Sequence, residues 1–420
     1  MATPAQRTNT WILNEWYDQA VAGNVSYNSP VAGEWWCWGN QQFGQLGQNE
    51  ATNDYSSPKQ IPGTTWADLA TTSKSYFAVA GVKNDGTLWT WGRNVGGMLG
   101  HNVSGGPPTS GGNISSPVQV GTDTNWGKRD DGTFGGATSK MAINADSGFM
   151  MIKTDGTLWS MGYNGNGGLG QNEAANAGKR SSPTQVGTET TWKWVSGGEQ
   201  NIAAIKTDGT LWVWGSAYAG RLGLNEGSEN RRYSSPTQVG TDSTWQTVNC
   251  GDFVVGATKT DGTGWIWGSN NSGNLGQNNT PTTGLSTQSS PIQLPGTTWK
   301  QIIGGGEDYA FGLKTDGTAW AWGRNQNGIL GLNVGGPSDA GSVSSPTQIG
   351  TDATWRSITS GNQISSGIKT DGTLWTWGNN GTFLGRNLPS NSRRSSPVQV
   401  PGTWWRVEGY PAQLQAIKSS

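Results

Sequence analysis

The sequence predicts an all-β fold, a seven-bladed β-propeller closed by strands from both ends of the chain. Two observations lead to this prediction. First, the stretch KTDGTLWVWG at residues 206–215 recurs, and the glycine that ends it belongs to a series: Gly39, Gly92, Gly162, Gly215, Gly268, Gly323 and Gly378. Second, the last copy stops before it reaches its Asp-Gly pair, and the strand that it lacks stands near the N-terminus. A repeat of about 50 residues is typical of propellers, in which each unit forms one blade.

Each unit is predicted to contain four short strands. Asp-Gly between two apolar runs is a strong hairpin signal, and a two-residue turn of this kind requires positive φ at both residues. In residues 211–214, a period of two sends Trp212 and Trp214 to one face and Leu211 and Val213 to the other. Both faces are apolar, as expected for a strand between neighbouring sheets. The Ser-Ser-Pro of each unit then begins an outer strand, where the missing proline N–H is tolerated.

The two ends of the chain are predicted to share one blade. Each unit carries a tryptophan after a Gly-Thr turn, and in the last unit this marker is Trp405. The chain then ends at Ser420, while residues 33–39 supply the missing turn glycine and Trp-rich strand. A shared blade removes two open edges and locks the ring. We therefore divide the chain into an N-terminal docking arm with a short helix at residues 1–31 and a propeller at residues 32–420.

The repeated pattern resembles that of the regulator of chromosome condensation family, in its bacterial and viral style. It reads Gly-Thr-x-Trp, then Ala-Ile-Lys-Thr-Asp-Gly-Thr-Leu-Trp-x-Trp-Gly-x-Asn-x-x-Gly-x-Leu-Gly, and it covers residues 32–420. The resemblance implies a seven-bladed propeller. That family includes an exchange factor for the GTPase Ran and secreted β-lactamase inhibitors, so function is less constrained than fold. A histidine common in the family is replaced here by Asn201, Val254, Tyr309 and Ile364, which argues against exchange activity.

The sequence contains few residues that could form an active site. We therefore predict a protein that is not an enzyme and holds no cofactor or metal. The recurring aspartates of the Asp-Gly pairs are interpreted as turn residues. The single histidine, His101, stands where other units have Gln, Leu or Arg, so it is not expected to act as a catalytic base. Cys37 and Cys250 lie in different units and are predicted to be buried thiols. A net charge of −1 gives no general attraction to nucleic acid or anionic lipid.

Partner contacts are expected where the units differ from one another. The connections between Leu-Gly-x-Asn and Ser-Ser-Pro vary in length and sequence, and such loops share one rim of a propeller. Three of them end in basic pairs that suit an acidic partner, with solvated loop charge as the alternative. These pairs are Lys179-Arg180, Arg231-Arg232 and Arg393-Arg394. The excursion at residues 127–140 contains its own Asp-Gly turn and is interpreted as a projecting hairpin.

The N-terminal arm is the clearest segment outside the repeats. Trp11, Leu13, Trp16 and Tyr17 are spaced roughly as on one face of a helix, which would dock on the propeller itself or on another subunit. The arm resembles leader segments of structural proteins of tailed bacteriophages. The first hypothesis is therefore a virion structural or appendage protein, made in the host cytoplasm. Its expected partners are other virion proteins through the arm and a host-surface ligand on a loop rim, with no nucleic acid and no membrane insertion.

Two other functions stay open at this point. One is a bacterial propeller that inhibits or scaffolds another protein, with a cytoplasmic location. The other, ranked third, is guanine nucleotide exchange, which the family resemblance raises and the missing histidine weakens.

Overall fold

The computed structural model describes residues 33–72, 77–103, 112–128, 139–144, 148–226, 231–280, 286–306, 308–335, 340–379, 384–386, 393–410 and 413–418. The strands of this part of the chain are β1 (Glu34–Gly39), β2 (Tyr55–Gln60), β3 (Trp66–Leu69), β4 (Thr71–Thr72), β5 (Ala78–Lys83), β6 (Leu88–Gly92), β7 (Ile114–Gln119), β8 (Met141–Asn144), β9 (Gly148–Ile152), β10 (Leu158–Tyr163), β11 (Lys179–Gln185), β12 (Trp192–Gly197), β13 (Asn201–Lys206), β14 (Leu211–Ser216), β15 (Arg232–Gln238), β16 (Trp245–Cys250), β17 (Val254–Lys259), β18 (Gly264–Ser269), β19 (Thr287–Gln293), β20 (Trp299–Gly304), β21 (Tyr309–Lys314), β22 (Ala319–Gly323), β23 (Val343–Gln348), β24 (Trp355–Ser360), β25 (Ile364–Lys369), β26 (Leu374–Gly378), β27 (Arg394–Val400), β28 (Trp404–Tyr410) and β29 (Gln413–Lys418). Short 3₁₀ helices span Gly165–Gly167, Tyr218–Gly220 and Gln326–Gly328.

These strands form seven sheets, one for each predicted blade, and the four main strands of each sheet are antiparallel. Blade 1 contains β3, β5, β6 and β7; blade 2 contains β8 to β11; blades 3 to 6 contain β12–β15, β16–β19, β20–β23 and β24–β27. The two-residue strand β4 leaves blade 1 and pairs in parallel with β8 of blade 2. Every Ser-Ser-Pro segment lies on an edge strand of its sheet, as predicted.

The predicted closure is confirmed in blade 7, whose order is β2-β1-β29-β28. The N-terminal strand β1 pairs with the C-terminal strand β29 from Glu34 opposite Lys418 to Gly39 opposite Gln413. The N-terminal part of the chain therefore supplies two strands of this sheet, β1 and β2, and the C-terminal part supplies the other two, β28 and β29. The edges of β1 and β29 would be open if the two ends of the chain did not meet. Here they are hydrogen-bonded to each other, so the ring has no open edge at this point.

One marker of the sequence analysis is wrong by a residue. The last Gly-Thr turn is the shortest, one residue shorter than those that end at Trp66 and Trp299, so Trp404 and not Trp405 takes the place of Trp192. Trp404 pairs with Lys418 as Trp192 pairs with Lys206. Trp405 occupies the β-bulge that follows.

The conformation predicted for the Asp-Gly turn is also wrong, although the hairpin is present. In blade 3 only the glycine has positive φ, +80° at Gly209, and its N–H donates to the carbonyl of Lys206 at 3.0 Å. The loop is therefore a type I turn followed by a left-handed glycine, in which Asp208 keeps an ordinary conformation. A Cβ at Gly209 would also lie 2.1 Å from the carbonyl oxygen of Ser243. Glycine is therefore required at this position both by the positive φ and by the lack of space for a side chain.

The first strand of each blade lies innermost, since first strands of neighbouring blades contact one another around the axis, as β8 does with β12, β12 with β16, β16 with β20 and β24 with β28. Because strands alternate in direction, the first-to-second and third-to-fourth connections of every blade share one rim. We call it the variable rim. The opposite rim carries the Asp-Gly turns and the Gly-Thr connections between blades, and we call it the Asp-Gly rim. In the described ranges no helix is long and apolar enough to cross a membrane.

Candidate interaction surfaces

The repeated motif builds a stacked unit along the Asp-Gly rim. In blade 3 the Lys206 ammonium lies 3.7 Å from the ring centroid of Trp212 and 4.8 Å from that of Trp192. The Trp212 indole N–H donates to the Thr210 hydroxyl at 2.8 Å, and this hydroxyl donates to Asp208 at 2.7 Å. Lysines of all seven blades lie over tryptophan pairs in the same way. The motif thus places tryptophans beside a polar turn because the lysine lies over their ring faces and the threonine, held by the aspartate, accepts from the indole N–H.

The aspartates of these turns are structural acceptors. The backbone N–H and then the hydroxyl of Thr210 hold the pKa of Asp208 below its ordinary value. The pKa is lowered in the same way, by the threonine two residues later, at Asp85, Asp155, Asp261, Asp316 and Asp371. A carboxylate held ionised by such bonds stabilises a turn, as the sequence analysis interpreted it.

The second tryptophan of the motif joins neighbouring blades. Trp214 is fully buried, and its indole N–H donates to the carbonyl of Gly168 in blade 2 at 2.9 Å. Equivalent bonds run from Trp91, Trp267, Trp322 and Trp377 to the preceding blade. In blade 2 the position is held by buried Met161, which has no N–H to donate. These tryptophans are therefore core residues that fasten the ring.

The single histidine and the two cysteines have structural surroundings. His101 Nε2 lies 3.0 Å from the Thr90 hydroxyl, and in blade 2 Gln171 bonds to Ser160 in the same place. Burial lowers the pKa of His101. The thiols of Cys37 and Cys250 are free and buried, as predicted, and burial raises the pKa of each to about 12. Across the described ranges no three His, Cys, Asp or Glu side chains are grouped as metal ligands.

The structure places the three basic pairs at the outer edge of the variable rim, but not together. Lys179-Arg180 begins β11 in blade 2, and Arg231-Arg232 lies at the start of β15 in the adjacent blade 3. Arg393-Arg394 lies at the start of β27 in blade 6, on the other side of the ring. Arg180 forms an ion pair with Glu173 at 2.5 Å, and Arg231 one with Glu226 at 3.0 Å. A loop glutamate thus offsets part of the positive charge at two of the pairs.

The sequence analysis missed an apolar feature of the variable rim. Among the described residues four large hydrophobic side chains are exposed, and three of them follow the third strand of a blade: Val103, Tyr218 and Val334, with 52%, 47% and 51% of their surface accessible. The fourth, Val118, is 39% accessible and lies on the outer strand β7. Comparing the units position by position would have marked Tyr218, since the other units carry Gln, Asn, Gly or the buried Val95 there and none carries an aromatic residue.

A charged cluster beneath Tyr218 was also missed. The Arg221 side chain is fully buried, with its guanidinium 5.3 Å from the Tyr218 ring and 5.0 Å from that of Phe253. Its Nη1 lies 3.6 Å from a carboxylate oxygen of Glu199. Burial lowers the pKa of Arg221, whereas Glu199 and then Asp252 raise it. The cluster fixes the base of the Tyr218 loop at the junction of blades 3 and 4.

Two predictions about sites fall outside the described residues in whole or in large part. The arm residues Trp11, Leu13, Trp16 and Tyr17 lie outside them, as do residues 129–138 of the proposed projecting hairpin. The positions at which the family histidine is replaced are described. Asn201, Val254, Tyr309 and Ile364 are each the first residue of a second strand and are buried.

The geometry defines a seven-bladed propeller whose repeated side chains are structural. Residues 208–257 and 316–368 match the family described as Regulator of chromosome condensation (RCC1) repeat, so the chain carries repeats of this type. It is 28% identical over 407 residues to the mitochondrial RCC1 domain-containing protein RUG3 of Arabidopsis thaliana, covering 89% of this chain and 83% of that protein. It is 24% identical to the Regulator of chromosome condensation of Xenopus laevis, covering 88% and 84%.

A solved structure shares the fold. Prp20p of Saccharomyces cerevisiae, described together with its binding properties to Gsp1p and histones, superposes with a TM-score of 0.75 at 16% sequence identity. The match covers 92% of this chain and 91% of that one. The seven-bladed prediction and the resemblance in the repeats are confirmed.

Proposed function

We propose that the protein is a non-catalytic binding module that holds a protein partner on its variable rim. The observation that carries this proposal is the placement of Val103, Tyr218 and Val334 on that rim, each about half accessible to solvent. Exposed apolar side chains on a polar background, aromatic ones above all, are characteristic of protein-binding surfaces. The ring supplies a rigid support beneath them, since its repeated polar groups bond within and between blades.

The test replaces all three side chains by serine, which removes apolar surface without changing charge. Val118→Ser is the matched control, since it removes an exposed valine from an outer strand. Wild type and both variants are used as bait in the source lysate, and captured proteins are quantified by mass spectrometry. The proposal expects a partner that is retained by wild type and by Val118→Ser and is lost with the triple variant. Equal capture by all three would overturn it.

The finer form of the proposal is assembly into a virion, with the arm at residues 1–31 anchoring the ring and the variable rim facing a partner or host surface. It rests on the sequence of the arm, and the relatives reported above lend it no support. Sedimentation of particles from the source lysate tests it separately. The chain should co-pellet at a fixed ratio to the main particle protein; a wholly soluble chain would refute the assembly and leave the binding module intact.

A regulatory role is the second candidate, favoured by the likeness to Prp20p along nearly the whole chain. Gsp1p and histones, the partners named for Prp20p, serve as purified probes. Binding of either with an affinity that the triple serine variant reduces would place this function on the variable rim. Acceleration of nucleotide release by Gsp1p would support exchange, against the expectation from the replaced histidine.

A further inference from the structure

The inner end of the Asp-Gly rim differs among blades at one position. Six of the seven described first strands, all except β8, have an irregularity in register just after the leading tryptophan, where a β-bulge leaves one residue outside the pairing. In blades 3 to 7 this residue is Lys193, Gln246, Lys300, Arg356 and Trp405. Four neighbouring blades therefore carry three cations and one amide at the Asp-Gly-rim end of their innermost strands. An indole follows them in blade 7.

Two cations of this arc, Lys300 and Arg356, lie close enough to affect one another. Burial and then the charge of Arg356 lower the pKa of Lys300. The Arg356 guanidinium lies 4.9 Å over the Trp405 ring and donates to the carbonyl of Trp404 at 3.3 Å, so it is held in place by blade 7. Lys193 and Lys300 are half-buried, and neither has a carboxylate partner within the described chain.

The contrast with the other lysines of the same rim is informative. Four lysines of the repeated motif pair with an acid of the preceding Gly-Thr connection: Lys153, Lys206, Lys259 and Lys369. Lys193 and Lys300 lie nearer the axis, and within the described ranges neither pairs with an acid that recurs from blade to blade. Positive charge at this position is found in only some of the blades. A residue that the fold itself requires would recur in every blade.

From this arrangement we infer that this arc binds an acidic peptide segment of a partner protein, on the rim opposite the exposed apolar side chains. Lys193, Gln246 and Lys300 contact the peptide, and Arg356, which is buried, contributes charge only. Packed sheets lie about 10 Å apart, and the first strands converge toward the axis, so an arc across four blades spans at most roughly 20–30 Å. An extended peptide of about 6–9 residues covers that length. A single small anion would reach only part of it. Between the two lysines, Gln246 supplies an amide N–H that can donate to carboxylates of the peptide. Salt screens the attraction of half-buried ammonium groups for a carboxylate less than that of exposed ones.

The experiment measures fluorescence polarisation of a labelled octaglutamate peptide with the full chain, at low and at physiological salt. The variant Lys193→Gln/Lys300→Gln removes two charges from the arc, and Lys179→Gln/Arg232→Gln removes two exposed charges from the variable rim as a matched control. We expect the Kd to rise about five- to tenfold for the arc variant and to stay within about twofold for the control. Gln246→Lys adds a cation to the arc and should tighten binding several-fold, which keeps the inference testable if the arc variant folds poorly.

Three results would overturn the inference. Equal weakening by the arc variant and by its control would mean general charge attraction. Absence of octaglutamate binding at low salt would mean that the arc does not take an acidic peptide. Binding of inorganic tripolyphosphate with the same dependence on the two lysines, without octaglutamate binding, would make the arc a small-anion site. None of these results bears on the variable rim.

Discussion

Breaking one buried ion pair should destabilise the ring where its last blade meets its first. Arg406 on β28 of blade 7 forms an ion pair with Asp68 on β3 of blade 1, 338 residues away in sequence. The side chains are 7% and 1% exposed, so solvent screening is small. Asp68 also accepts a bond from the N–H of Leu69 at 2.7 Å, which an asparagine oxygen would preserve. Asp68→Asn therefore changes mainly the charge that faces Arg406.

The expected loss is about 3–5 kcal/mol of unfolding free energy, the usual range when one partner of a buried ion pair is removed. Arg406→Met should cost a similar amount, because it leaves the Asp68 carboxylate facing an apolar side chain. The double variant removes both charges and should recover at least half of the summed loss. Urea denaturation followed by tryptophan fluorescence measures all four proteins at pH 7. Losses below about 1 kcal/mol for the single variants, or full additivity in the double variant, would refute the reasoning.

Three further predictions concern the blades themselves. Trp214→Phe keeps an aromatic ring but leaves the buried Gly168 carbonyl without its donor, so we expect a loss of about 1–3 kcal/mol in urea denaturation; a loss near zero would contradict the inter-blade role. The pKa of Asp208 is lower in the folded chain than in the unfolded one, so its contribution is present above about pH 4 and lost as pH falls through the folded pKa. The stability difference between wild type and Asp208→Asn should therefore shrink from pH 7 to pH 3, and a constant difference would count against it. Cys37 and Cys250, whose pKa is about 12, should react with a thiol reagent at pH 8 only after denaturant is added; rapid labelling of the native chain would argue against their burial.

The local structure of each blade follows from short stretches of sequence. The Asp-Gly turn, the alternation of apolar residues and the Ser-Ser-Pro edge act over ten residues or fewer, so hairpins and outer strands were predictable. The seven copies and the complementary ends then required a closed ring. Some local details were nevertheless predicted wrongly. In the Asp-Gly turn of blade 3 only Gly209 has positive φ, and in the last unit the shorter Gly-Thr turn makes Trp404 the equivalent of Trp192.

What only the tertiary structure decided is which of the unrepeated residues meet. Arg406 and Asp68 become partners because closure brings the last blade against the first. Val103, Tyr218 and Val334 share a rim because strand direction alternates identically in three separate blades, and the basic pairs are separated because blade 6 lies across the ring from blades 2 and 3. Charged and apolar side chains interact only when they are close in space. In a ring, the distance between two side chains is set by the order and closure of the blades rather than by their separation along the chain. The repeats of the sequence therefore determine the scaffold, and the assembled ring determines its surfaces.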